Sequence, residues 1–165
     1  MKTLFVVRHA KSAWDDPRLT DKERTLNERG RHDAPTMAAY VAKHHPHPNV
    51  LISSTATRAW TTAEPFVEAF DLSKQHVIRT DAIYEAPLIA LLGVVTTIDD
   101  VNDVAMLVGH NPGVTELVRY LSGESFTHMP TCGVVMLTFP HASSWQEIGK
   151  GTGTMKAFLY PKMFT

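Results

Sequence analysis

The chain has 165 residues, 44% hydrophobic and 20% charged, with sixteen Lys and Arg against seventeen Asp and Glu for a net charge of -1. That length suits one domain with its own core, residues 1–165, and the composition excludes a disordered or fibrous chain. The near-neutral balance also excludes a general attraction for nucleic acid or an anionic membrane, so any anion site must be local.

A single cysteine, Cys132, makes no internal disulfide and suits a reducing compartment. Its place beside an apolar run reads as a buried, unreactive thiol. The N-terminal MKTLFVV is apolar for only four residues before Arg8, too short for the hydrophobic region of a signal peptide, so a cytoplasmic location is expected. The longest apolar stretch, Pro87 to Val95, falls far short of the roughly 20 residues of a membrane span and reads as a core helix.

In chain order, Thr3 to Val7 is a β-branched and aromatic run, read as a strand buried on both faces. Asn27 is placed to cap a helix running to about Lys43, with Pro35 as a site for a kink. The HHPHP at His44 to Pro48 ends it, because a residue before proline is pushed out of the helical region. Asn49 to Ser53 is a second strand. The helix that follows, Ala56 to Phe70, contains Pro65, which is expected to kink or split it. His76 to Thr80 is a weaker third strand, and Asp103 to Gly109 a strong fourth one. Val114, Leu117, Val118 and Leu121 then follow helical spacing. Gly133 to Phe139 and Thr154 to Tyr160 read as two more strands, an antiparallel edge pair. Strands alternating with helices imply an α/β fold: a three-layer sandwich with a mainly parallel central sheet flanked by helices.

In such a sheet the ligand site lies beyond the carboxyl ends of the strands. There the first strand delivers Arg8 and His9, the second leads through Ser53 and Ser54 to Arg58, and the fourth ends in Gly109, His110 and Asn111. Alone, each reads as a solvated or capping residue. Gathered at one edge of a nearly neutral protein, two arginines and two histidines call for a counter-anion, and phosphate is the common one.

RHAKS after the first strand, SSTATRAWTTA after the second, VGHNPG after the fourth and LNERG at Leu26 to Gly30 together resemble the histidine phosphatase superfamily. Within it, they are similar to the small SixA-type phosphohistidine phosphatases. The resemblance covers essentially the whole chain and implies the fold of the phosphoglycerate mutases. It makes His9 the nucleophile that carries the phosphoryl group, and Arg8, Arg58 and His110 the groups that hold the phosphoryl oxygens. The chemistry agrees, because phosphoryl transfer needs in-line positioning and stabilisation of charge on the equatorial oxygens. His9 is expected to be neutral, kept so by the arginines, with its other ring nitrogen held by a hydrogen bond. His110 is expected to be protonated. No metal or cofactor is required.

Glu85, after the third strand, stands where the superfamily's general acid for ester substrates is expected, and reads equally as a solvated glutamate. A phosphoramidate needs no such acid, because its nitrogen is protonated before cleavage. This favours phosphohistidine on a protein as substrate. A small phosphomonoester and a non-catalytic phosphate-binding module stay as alternatives. Lys11 and Ser12 are candidates for contacting the phosphate or the pocket rim. Asn111 reads as structural, Ser53 and Ser54 as caps or site ligands, and the charged loop from Asp15 to Arg24 as a solvated rim.

His44, His45 and His47 have no Cys or carboxylate at ligand spacing and read as an exposed loop. Trp14 is a candidate for the pocket mouth, and Trp60 for packing. Ala10 departs from the superfamily's usual Arg-His-Gly and is expected to crowd the backbone near the phosphate. The chain also lacks the large insertion of the bigger relatives, which implies an open site. The partner expected is a phosphate-bearing substrate, with no nucleic acid or membrane, and the residues leave the oligomeric state open.

Overall fold

The computed structural model describes residues 1–165. Six strands form one sheet: β1 (Lys2–Arg8), β2 (Val50–Ser54), β3 (Val77–Thr80), β4 (Val104–Gly109), β5 (Val134–Phe139) and β6 (Thr154–Leu159). Their order is β3-β2-β4-β1-β5-β6. The first four in that order pair in parallel; β5 is antiparallel to both β1 and β6, so it alone runs against the rest. The expected edge pair is therefore present, with β6 outermost.

Four helices cover the sheet: α1 (Glu28–His44), α2 (Thr57–Ala69), α3 (Leu88–Thr96) and α4 (Gly113–Ser122). Alternation along β1 assigns the layers. Leu4 and Val6 join one buried cluster with residues of α3 and α4, while Phe5 and Val7 join the other with residues of α1 and α2. All four β1 side chains have no exposure, and each contributes about 1.5–3 kcal/mol of hydrophobic stabilisation. Asn27 caps α1 by accepting from the Gly30 amide at 2.9 Å.

Two expectations are corrected here. Pro65 does not split α2, which runs unbroken from Thr57 to Ala69. Its lost backbone bond is offset by the packing of Ala59, Thr62, Ala63 and Phe66, all buried. The stretch from Pro87 to Val95 is also not a core helix. On α3 only Leu91 and Val95 are buried, and Ile89 is 79% exposed, so the helix lies on the surface with one stripe inward. No helix is long and apolar enough to cross a membrane.

Register sets the site. Arg8 lies opposite Gly109 across the β1–β4 pair, and the His9 amide donates to the Gly109 carbonyl at 3.0 Å. The next residue of each strand is a histidine, so His9 and His110 emerge side by side.

Candidate active site

The rings of His9 and His110 lie 5.3 Å apart between centroids, tilted by 54°. His9 is 8% exposed. Its Nδ1 is 2.7 Å from the Ala10 carbonyl oxygen, which can only accept, so the ring proton sits on Nδ1 and the lone pair on Nε2. Burial pushes the imidazole pKa down to about 3, and the neighbouring His110, Arg58 and Arg8 push the same way against the bond to Ala10. The imidazole is therefore neutral, as expected, although desolvation outweighs the arginines as its cause.

The protonated state expected for His110 is corrected. Burial, then Arg58, lowers its pKa to about 4 against the opposing pull of Asp21, so the ring is neutral in the free site. Its Nε2 is 2.8 Å from Ser54 Oγ, which also accepts from the Ala56 amide at 3.2 Å. This contact ties up Nε2 and leaves Nδ1. That Nδ1 is buried and unpartnered.

Two other nitrogens share that condition, Arg8 Nε and Arg58 Nε. Buried polar nitrogens are almost always bonded, and three orphans beside one histidine, from the ends of β1 and β4 and the first turn of α2, fit an anion-binding site. Each arginine is also anchored. Arg8 Nη1 donates to the Met129 carbonyl at 3.1 Å. Arg58 Nη1 donates to the Asp21 carbonyl at 2.6 Å, and Nη2 to the Asp21 carboxylate at 3.0 Å. Thr62 ties the two halves together: its Oγ1 accepts from the Ala10 amide at 2.8 Å and donates to the Arg58 carbonyl at 2.7 Å.

The loop is a solvated rim as expected, with Asp15, Arg18 and Glu23 exposed, but Asp21 within it has a second task. Besides Arg58, its carboxylate accepts from the Tyr84 hydroxyl at 2.5 Å and from Arg24 Nε at 3.2 Å. These partners hold the carboxyl well below the usual range, Tyr84 foremost and Arg58 next among them. Lys22 reaches Asp81 at 2.6 Å, and Thr55 bonds the same carboxylate. The sequence analysis missed Asp21, Tyr84 and Thr62. A signal for the loop's order was present in Thr20 and Glu23, a capping box that closes the turn Asp21–Glu23.

Glu85 does approach the site, with its carboxylate 3.8 Å from Arg58 Nη2 and 59% exposed. Its φ of 47° is a left-handed conformation that costs a glutamate about 1–2 kcal/mol. Ser12 is turned to another task, accepting from Arg24 at 2.9 Å. Lys11 is exposed and lines a separate cavity.

Asn111 is structural as expected, donating to the Met129 carbonyl and accepting from Thr115. Ala10 is fully buried in the α1–α2 core cluster. Trp14 is 77% exposed beneath the Arg24 guanidinium at 3.4 Å, and Trp60 is half-buried under Arg79. Cys132 is buried, which raises its thiol pKa. No group of three or more His, Cys, Asp or Glu is placed to hold a metal ion. His44 and His45 stack on Tyr40, and His47 bonds the Ala42 carbonyl.

The chain is 31% identical over 156 residues to an uncharacterised chloroplastic protein of Arabidopsis thaliana, covering 88% of this chain and 70% of that one. Among solved structures it is similar to the provisionally assigned phosphohistidine phosphatase SixA of Agrobacterium tumefaciens. The TM-score there is 0.82 at 27% identity, over 97% of this chain and 98% of that one. A protein histidine phosphatase SixA complexed with tungstate shares the fold, with a TM-score of 0.79 at 20% identity over 99% of each chain. The model of the histidine phosphatase superfamily, branch 1, matches residues 4–129, which span both histidines and both arginines. The chain belongs to the histidine phosphatase superfamily and has a SixA-like fold.

Proposed function

We propose that residues 1–165 form one phosphatase domain that acts through a phosphohistidine intermediate on His9, with phosphohistidine on a protein as the substrate. The observation that carries this reading is the convergence of Arg8 Nε, Arg58 Nε and His110 Nδ1, buried and unpartnered, around a neutral imidazole whose Nδ1 is fixed by Ala10.

The Nε2 lone pair of His9 attacks phosphorus in line as the bond from phosphorus to the substrate's ring nitrogen breaks. That nitrogen keeps the electron pair and leaves as neutral imidazole when its other nitrogen carries a proton. His9 retains its Nδ1 proton, still donated to Ala10, and becomes a phosphoimidazolium. Water then attacks phosphorus, the electron pair returns to Nε2, and the water's proton passes to the departing phosphate or to solvent. Arg8, Arg58 and His110 hold the equatorial oxygens throughout, in a site dry enough for their charge to count.

The similarity to a SixA of Agrobacterium tumefaciens supports the P–N substrate. Glu85 supports a second reading, a phosphomonoesterase with the same nucleophile, because its strained backbone holds an acid within 3.8 Å of Arg58.

The test is phosphate release from a phosphohistidine peptide and from an aryl phosphate, with chelator present, by the intact protein and by His9→Ala. The expected result is release from the peptide that disappears in the variant. Release from the aryl phosphate alone selects the second reading. Binding of phosphate without release from either substrate makes the protein a binding module.

A further inference from the structure

A cavity of about 720 Å³ lies beside the catalytic residues without including them. Its lining begins at Lys11, two positions after His9, and continues through His128, Pro130 and Thr131. The segment carrying those three also builds the catalytic site. Its Met129 carbonyl anchors Arg8, and the Cys132 amide donates to the His9 carbonyl at 3.1 Å. One wall therefore separates the nucleophile from the cavity.

The rim is cationic. Lys11, Arg29 and Lys162, all exposed, come from three separate parts of the chain, against Asp33 as the one carboxylate. Asp33 is already bonded to Arg29 at 3.2 Å. Lys11 and Lys162 pair with no carboxylate. Phe158 and Tyr160, stacked with centroids 5.2 Å apart, add an apolar surface. A chain of net charge -1 thus holds a local excess of positive charge next to its nucleophile.

Resting on the proposed phosphatase reading, we infer that this cavity receives acidic side chains of the polypeptide that bears the phosphohistidine. The two lysines left without a carboxylate, spread over a cavity of about 720 Å³, fit two carboxylates of a peptide. The carboxylates of Asp21 and Glu85 lie on Arg58, so an acidic segment finds its complement at the Lys11 side.

The test compares kcat/KM for two phosphohistidine peptides, one flanked by glutamates and one by glutamines, with a small phosphoramidate as reference. The wild-type protein is expected to favour the glutamate peptide about tenfold at low salt, with the preference shrinking as salt rises. Lys162→Glu is expected to reduce that preference to about twofold or less while leaving phosphoramidate turnover unchanged, which also certifies its fold. Equal His9-dependent rates on both peptides overturn the cavity assignment and leave the phosphatase reading standing. Undiminished preference in Lys162→Glu, or none in salt-free wild type alongside inhibition by a small bisphosphate, overturns it too. No release from either peptide overturns both.

Discussion

Asp21 grips Arg58 with two different oxygens, its backbone carbonyl on Nη1 at 2.6 Å and its carboxylate on Nη2 at 3.0 Å. The guanidinium plane is fixed by a loop that lies 37 residues away in sequence, and the buried Nε has no protein partner. A fixed fork is what a transferring phosphoryl group requires.

Replacing Asp21 by alanine is therefore expected to lower kcat/KM by about 10- to 100-fold, the scale of a misplacement near 1 Å. Asp21→Asn keeps an acceptor oxygen and the backbone contact, and is expected to recover most of that loss. Steady-state rates on a small phosphoramidate check this. Equal damage by both variants assigns the effect to the carboxylate's charge, and a fall in Tm with unchanged kcat/KM shows that the loop serves stability alone.

The two histidines titrate far from ordinary values, His9 at about 3 and His110 at about 4 against 6.5 for a free ring. Their NMR signals are expected not to titrate between pH 8 and 5.5 in the free protein. Tungstate, a phosphate analogue, is expected to move the His110 transition upward, since an anion favours imidazolium. Folding responds to the same shifts. The unfolded chain takes up protons first, so this contribution is full above about pH 7.5 and falls as the pH drops through 6.5 toward about 3. The pair loses about 2–3 kcal/mol between pH 6.5 and 5. Urea unfolding at those two pH values measures it, and in His9→Ala the drop is expected to be smaller.

Arg8, His9, Arg58 and His110 were legible in the sequence because each follows an apolar strand, and parallel register brings strand ends together whatever the loops do. Asp21 and Tyr84 were not, since they meet across 63 residues and both read as ordinary polar residues of connecting segments. The same limit hid the neutral state of His110. Its charge is decided by burial, which its position after a strand does not reveal. Pro65 misled for the opposite reason: local propensity argued for a break, and packing on the sheet outweighed it.

Glu85 separates the two substrate classes. An ester's alkoxide leaves poorly and needs a proton from an acid, whereas phosphohistidine's ring leaves as neutral imidazole once its other nitrogen carries a proton. Glu85→Gln is expected to reduce phosphohistidine peptide turnover by less than about threefold and to cut alkyl phosphate hydrolysis by about 100-fold or more, the scale of general acid catalysis. An equal loss on both substrates assigns the carboxylate to the alignment of Arg58 instead.

Gly30 connects the first helix to the loop that carries the nucleophile. A methyl group added there meets the Lys11 carbonyl oxygen at 2.2 Å, and the same oxygen accepts from the Asn27 amide at 2.9 Å. The close approach joins the α1 cap to the chain two residues beyond His9, and backbone on both sides leaves little room to yield. Gly30→Ala is accordingly expected to destabilise the fold by about 1–3 kcal/mol, as overpacking does, even though alanine is the better helix former by about 1 kcal/mol. The displaced loop is also expected to lower phosphoramidate turnover below the Tm, through the hydrogen bond from His9 Nδ1 to Ala10. A variant as stable and as active as the wild type refutes the contact's importance, whereas a loss of stability with intact turnover confines it to the helix cap.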